Sequence, residues 1–348
     1  MNDKIGNTIE LSSDPNGHVL ILGQTGQGKT YELCRLVEDY CGQGKRILII
    51  DYSGSFTERE LVEKGFQCGK HIKRVNLAKE EFKWCFRVRN IIDAIDDIAD
   101  VILDVVKCEA YFQRKWMYQM IKELMGKRGY VSIPEIIQRL ENKLYDEQLS
   151  ESIHGNVEEV GKLLTRLEIY RRFKDFYICP FDKEDNADDK LIYILDVTEF
   201  PKRQRDFLSE LMISLLWKET YRQEVKNRCE IVILDEFQHI PFNGNSAVSG
   251  ILREGRKRNL SAILSTQHTG RYSKEQIQTL QQAGNIIFFK PTEDEIRTFA
   301  RIIDSRNSKI WEEKISNLER GQAILKGSYT INGRQRRSPI RTPIIICT

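Results

Sequence analysis

HVLILGQTGQGKT (18–30) is the stretch on which the fold turns. Val19–Leu22 is an uninterrupted apolar run bounded by a glycine, which fits a strand covered on both faces. GQTGQGKT (23–30) matches G-x-x-x-x-G-K-[ST], and YELCRLVEDY (31–40) continues as a helix. Glycines let consecutive backbone N–H groups face one anion, and the helix N-terminus adds its positive end. The motif therefore marks Gly23, Gln24, Thr25, Gly26, Gln27, Gly28, Lys29, Thr30 and Tyr31 as a triphosphate cradle. Lys29 is placed to reach the β- and γ-phosphates, and Thr30 to offer a hydroxyl to Mg2+. The alternative is an ordinary glycine-rich surface turn.

Similar apolar runs recur along the chain. They are KRILIID (45–51), LIYILDV (191–197), EIVILDE (230–236), LSAILSTQ (260–267), NIIFFK (285–290) and GQAILKG (321–327). Helical patterns separate several of them, at 29–42, 203–224, 247–259, 274–283 and 293–303. Strand–helix alternation predicts an α/β fold, a wound core with a mostly parallel sheet and helices on both faces. Residues 90–180 show apolar spacing near 3.6 and no convincing strand, so an inserted all-α subdomain is expected there. The predicted organisation is 1–89 as the first part of the core, 90–180 as the insertion and 181–348 as the second part. A polar turn, DKEDNADDK (182–190), closes the insertion.

The 348 residues carry 54 Lys plus Arg against 51 Asp plus Glu, a net charge of +3. That balance excludes a chain-wide basic surface, so any nucleic-acid contact must come from a local patch. With 40% hydrophobic residues the chain is neither disordered nor fibrous. Its eight cysteines form no C-x-x-C pair and no zinc spacing, which predicts a reducing, cytoplasmic setting. No apolar stretch is long enough to span a bilayer, and the N-terminus does not read as a signal peptide.

Two carboxylates, Asp235 and Glu236, end the strand EIVILDE. Ligands bind beyond the carboxyl ends of strands in open α/β sheets. Asp235 is expected in the metal shell and Glu236 as the base that polarises water, a pairing that favours hydrolysis over kinase chemistry. REGRKRNLSAILSTQ (253–267) runs from a helix end through a turn and up a strand to Gln267, which is placed to sense the γ-phosphate. Its cations either reach a neighbouring subunit's nucleotide as an arginine finger or form a solvated helix end.

Taken in order, these blocks resemble the HerA/FtsK superfamily of P-loop DNA translocases, particularly HerA-type and conjugative-coupling ATPases. The matching blocks are HVLILGQTGQGKT, IIDYSGSF (49–56), LIYILDVTEF (191–200), VILDEFQHI (232–240), and REGRK with Gln267 eleven residues after Arg256. GQAILKGS (321–328) is similar to the family's closing strand. The resemblance implies a RecA-like P-loop core with ATP and Mg2+ as ligands. Lys29 and Thr30 would then be on nucleotide and metal, and Asp235 and Glu236 on metal and water. It further implies Gln267 as sensor and Arg256 as the trans finger, with Arg253 and Arg258 as alternatives. A hexameric ring, duplex DNA in its channel and a nuclease or other effector partner are likewise implied. The family's N-terminal β-barrel, its membrane anchor and the FtsK winged-helix tail have no counterpart here, so a nearly bare motor is expected.

Candidate DNA contacts are Arg171 and Arg172, the 253–258 run, and Arg334, Arg336 and Arg337; each is equally readable as solvated surface. The loop PFNGNSAVSG (241–250) either relays nucleotide state or is an ordinary turn. His239 and His268 read as hydrogen-bonding residues rather than metal ligands. A DNA motor and an ATP-gated regulator of an effector protein, as in antiphage defence, are both compatible with these residues. A protein-remodelling ATPase fits less well, because the helices interrupt the core instead of following it.

Overall fold

The computed structural model describes residues 1–3, 5–12, 16–63, 71–86, 90–149, 154–180, 191–221, 229–332 and 342–348. The chain forms two compact units. The first comprises Met1–Lys73, Lys190–Ile194 and Asn227–Thr348, and the second Arg74–Asp189 and Leu195–Lys226.

The strands are β1 (Asn2–Asp3), β2 (Ile9–Leu11), β3 (Val19–Leu22), β4 (Ile47–Asp51), β5 (Ile72–Asn76), β6 (Phe82–Phe86) and β7 (Phe176–Pro180). They continue with β8 (Ile192–Asp196), β9 (Ile231–Leu234), β10 (Ser261–Thr266), β11 (Asn285–Phe289), β12 (Gln322–Lys326), β13 (Tyr329–Ile331) and β14 (Ile344–Cys347). The helices are α1 (Lys29–Gly42), α2 (Glu58–Glu63), α3 (Ile91–Val106), α4 (Tyr111–Arg128), α5 (Ile133–Leu149) and α6 (His154–Leu167). After them come α7 (Lys202–Tyr221), α8 (Ala247–Glu254), α9 (Lys274–Leu280), α10 (Ile296–Ile303) and α11 (Ser308–Ser316).

A ten-stranded sheet runs in the order β1-β14-β12-β11-β3-β10-β9-β4-β8-β5. Its heart, β11-β3-β10-β9-β4, is parallel throughout. One flank, β12-β14-β1, is antiparallel. Every residue of β3, β4, β9 and β11 is buried. Side chains alternate across a strand, so burial at consecutive positions requires cover on both faces, and the sequence meets that with unbroken Ile, Leu and Val. On one face Ile21, Ile49, Ile233, Ile263 and Ile287 pack with Leu33 and Val37 of α1 in a common core. All seven apolar runs singled out above are strands of this sheet, and parallel pairing brings the carboxyl ends of β3, β10, β9 and β4 to one edge.

In the second unit β6 and β7 pair in parallel, with Phe82 opposite Phe176 and Phe86 opposite Pro180. Asn90 caps α3 by accepting the Ile92 N–H at 2.9 Å, satisfying a donor that helix starts leave orphaned. α3 buries Ile95, Ile98, Ile102 and Val105 at helical spacing and packs against α4 and α7. Two features differ from the sequence reading. FYICP (176–180) is a strand inside the stretch expected to be helical, because a five-residue run carries too little alternation to reveal itself and is specified by pairing with FKWCF (82–86). The unit that holds the helices also takes in α7, and so extends beyond 90–180. The polar turn at 182–190 lies outside the described residues.

His18, just before β3, is fully buried, and its Nδ1 accepts the Ala262 N–H at 2.9 Å. Burial pushes its pKa down from 6.5 to about 4. The folded state therefore refuses a proton that the unfolded chain takes up below pH 6.5. This contribution to stability is intact above pH 6.5 and is lost as pH falls from there towards 4. Between pH 7.5 and 5.5, where most carboxylates stay ionised, it amounts to about 1.4 kcal/mol. Urea midpoints at the two pH values should show this loss in the wild type and not in His18→Asn; equal losses in both proteins would refute it.

A candidate nucleotide site at the strand ends

Between β3 and α1 the backbone takes φ angles of 145° at Gly23, 80° at Gly26 and 118° at Gly28. Only glycine enters these regions without strain. A Cβ at Gly23 would also lie 2.6 Å from Cβ of Phe289. The loop is pinned on both sides. Gln24 N–H donates to the Lys290 carbonyl at 3.0 Å, and Gly321 N–H to the Gln27 carbonyl at 3.0 Å. Gly28 provides no side-chain cap for α1, so the first amides of a fourteen-residue helix are left for an outside acceptor. Lys29 is only 7% exposed, and its Nζ donates to the Gln24 carbonyl at 3.0 Å. Burial holds its pKa below the usual lysine value, opposed by the charges of Glu236 and Asp235. A buried ammonium held by one carbonyl is poised for an anionic partner. Thr30 is half-buried, and Tyr31 and Thr25 are exposed.

Asp235 and Glu236 follow β9. Asp235 is 4% exposed; burial and then the Glu236 charge raise its pKa, while the Ser53 hydroxyl, 3.2 Å from Oδ2, eases it down. Glu236 sits in the left-handed region at φ 55°, a conformation uncommon outside glycine, and it marks the sharp turn off the strand. Gln267, just past β10, donates Nε2 to both Glu236 oxygens at 2.9 Å each. Because a carboxylate only accepts, this fixes the amide orientation, and Oε1 is left to receive the Thr25 hydroxyl at 2.8 Å. Gln238 also donates to Glu236 and accepts the Thr266 hydroxyl at 2.9 Å. One hydrogen-bonded chain thus runs Thr25–Gln267–Glu236–Gln238–Thr266. Asp51, fully buried at the end of β4, accepts the N–H groups of Gly54 at 2.8 Å, Ser55 at 3.0 Å and Phe56 at 3.4 Å. It thereby shapes the turn that carries Ser53.

Hydroxyl and carboxylate oxygens at Thr30 and Asp235 are the hard donors that suit Mg2+, and the strained-in charge at Asp235 would be relieved by a cation. Among the described residues no cluster of three or more His, Cys, Asp or Glu could hold a metal by itself. A site that shares its metal with phosphate oxygens needs none. Ser53 and Gln238 were not singled out from the sequence. Both lie inside blocks quoted above, two and four residues beyond an apolar strand, and that placement is the only signal they carry.

The three candidate finger residues stand at the other end of β10. Asn259 donates to Glu230 at 3.2 Å, and Ser261 N–H donates to the Glu230 carbonyl at 2.8 Å, so the 255–259 turn lies where β9 and β10 begin. Six residues of β10 at about 3.3 Å each separate it from Gln267, roughly 20 Å and beyond the reach of an arginine. Arg253 is turned back onto its own helix and the loop before it, donating to the carbonyls of Ser249 and Gly244. Arg256 is exposed and Arg258 half-buried.

Of the other candidate contacts, Arg171 is engaged by Glu168 and Glu141 at 2.7 and 2.6 Å. Arg334, Arg336 and Arg337 lie outside the described residues. In the 241–250 segment Ser246 caps α8 by accepting the Ser249 N–H at 3.3 Å. His239 stacks on Tyr52 with ring centroids 4.6 Å apart. Among the described residues no helix is long and apolar enough to cross a membrane.

Known proteins bear on this arrangement in two ways. The solved structures it resembles include the bacterial conjugative coupling protein TrwBdeltaN70, at 15% identity and a TM-score of 0.66, over 95% of this chain and 84% of that one. The same protein in complex with ADP and Mg2+ matches at 16% identity and a TM-score of 0.66, over 95% and 84%. VirB4 of Thermoanaerobacter pseudethanolicus matches at 16% identity and a TM-score of 0.66, over 99% and 94%. Likeness at such low identity establishes a common fold. No curated protein has a significantly similar sequence. The family described as "Helicase HerA, central domain" matches residues 2–216, more than half of the chain. With its glycine-rich loop and acidic strand end in place, the chain belongs to the HerA central-domain family of P-loop ATPases.

Proposed function

We propose that this protein is a ring-forming, Mg2+-dependent ATPase that moves or unwinds duplex DNA, working with a nuclease or other effector in the cytoplasm. The observation that carries the reading is Gln267. Its side chain joins Thr25 of the glycine-rich loop to Glu236 at the neighbouring strand end. A residue bonded at once to the phosphate cradle and to the candidate base is placed to register whether a γ-phosphate is present.

Thr30 and Asp235 would hold Mg2+, which would supply Lewis-acid stabilisation of the phosphate charge. Lys29 gives up its bond to Gln24 and meets the same phosphates. Glu236 takes a proton from the water that attacks the γ-phosphorus, and the bond to the ADP oxygen breaks. Arg256 serves the nucleotide of the adjoining subunit, since its own site is at the far end of β10. Similarity to a coupling protein solved with ADP and Mg2+ supports the choice of ligands, and family membership supports DNA as the cargo.

The test is ATPase activity with and without linear duplex DNA, alongside the particle mass in ATP. Stimulation by duplex, weakening steeply as salt rises because phosphate contacts release counterions, is expected together with a multimer of closed-ring mass. A monomer whose hydrolysis ignores DNA would overturn the motor reading. A ring indifferent to DNA that binds one partner protein tightly would instead make it a gated regulator.

A further inference from the structure

We propose that Glu295 is a positioning residue for Gln267, holding the turn beyond β10 so that the Gln267 amide spans Thr25 and Glu236. The inference rests on the reading of Gln267 given above. After Thr266 the chain leaves the sheet, and its backbone N–H groups lose their ladder partners. Glu295, 5% exposed, supplies the acceptor. Its Oε1 accepts the Thr269 N–H, the Thr269 hydroxyl at 2.9 Å and the Gly270 N–H at 2.9 Å. Thr269 is itself only 2% exposed, so its amide would otherwise be buried without a partner.

Glu295 is itself held in place. Its N–H donates to the Thr292 carbonyl at 3.1 Å, and α10 begins at the next residue. Phe299 of that helix is fully buried and meets Phe288 of β11 edge-on, with centroids 5.4 Å apart. β11 pairs directly with β3, the strand that leads into the glycine-rich loop. The carboxylate therefore ties the sensor's exit turn to the same framework that carries the phosphate cradle. Oε2 faces His268, whose Nδ1 is 3.7 Å away. Charge-assisted bonds converging on one oxygen give a stiff mount, and Gln267 lies two residues upstream of the first of them.

The test compares Glu295→Met, which keeps the length and removes every acceptor, with Glu295→Gln, which keeps an Oε1. In the full-length protein with ATP and Mg2+, E295M is expected to lower kcat by about tenfold to a hundredfold, the scale of a catalytic group displaced by about 1 Å. Its KM for ATP should stay near the wild-type value, and E295Q should restore most of the rate. E295M/Q267A should be no slower than Q267A alone. Should E295M fail to fold, Thr269→Val removes one of the three bonds and should cost about threefold to tenfold, again only when Gln267 is present. If Q267A is slow but Glu295 or Thr269 variants are fast, or add an independent loss, the positioning role is wrong. If Q267A itself runs at the wild-type rate, the sensor reading fails instead.

Discussion

Glu236→Gln is expected to bind ATP and Mg2+ as the wild type does and to hydrolyse it about a hundredfold to ten-thousandfold more slowly, the usual worth of a general base. The amide retains the size of the carboxylate and still accepts from Gln267, so the strand end and the glycine-rich loop should keep their shape. What it loses is basicity. Single-turnover hydrolysis measured beside equilibrium binding of a fluorescent ATP analogue separates the two effects. Normal turnover in E236Q would remove Glu236 from the chemistry. A parallel loss of binding would instead make it a structural partner of Lys29, whose ammonium feels its charge.

Arg256→Ala is expected to lower kcat by about a thousandfold or more, as loss of an arginine finger does, while nucleotide affinity changes little. On the proposed reading the effect is intermolecular. The 255–259 turn lies where β9 and β10 start, and the candidate base lies where they end. Mixing E236Q with R256A subunits therefore gives a sharp outcome. Some interfaces then combine an intact base from one chain with an intact arginine from the other, so the mixture should hydrolyse ATP far faster than either variant alone. Absence of complementation in a verified mixed ring would rule Arg256 out, and the same experiment with Arg258→Ala would then examine the neighbouring candidate.

Much of the core was legible in the amino-acid order because its signal is local. A strand buried on both faces must be apolar at consecutive positions, and each of the seven runs from 18–23 to 321–327 holds such a stretch, in the parallel heart and in antiparallel β12 alike. The glycine-rich loop is legible for a related reason. Left-handed φ angles and close approach to Phe289 leave no choice but glycine at 23 and 28. The strand β7 was not legible, since five residues hold no periodicity of their own and pairing with β6 decides them.

The chain by itself therefore determined seven of the ten strands of the sheet, the glycine-rich loop after β3 and which acids and amide stand at strand ends. The tertiary structure alone decided what meets what. Thr25 and Gln267 are 242 positions apart and Ser53 and Asp235 are 182 apart, yet each pair is hydrogen-bonded. The sheet order β3-β10-β9-β4 makes those ends neighbours, and long-range hydrophobic packing, not local spacing, selects that order. The same order sends Arg256 to the opposite edge, because parallel strands gather all their exits on one side and all their entries on the other.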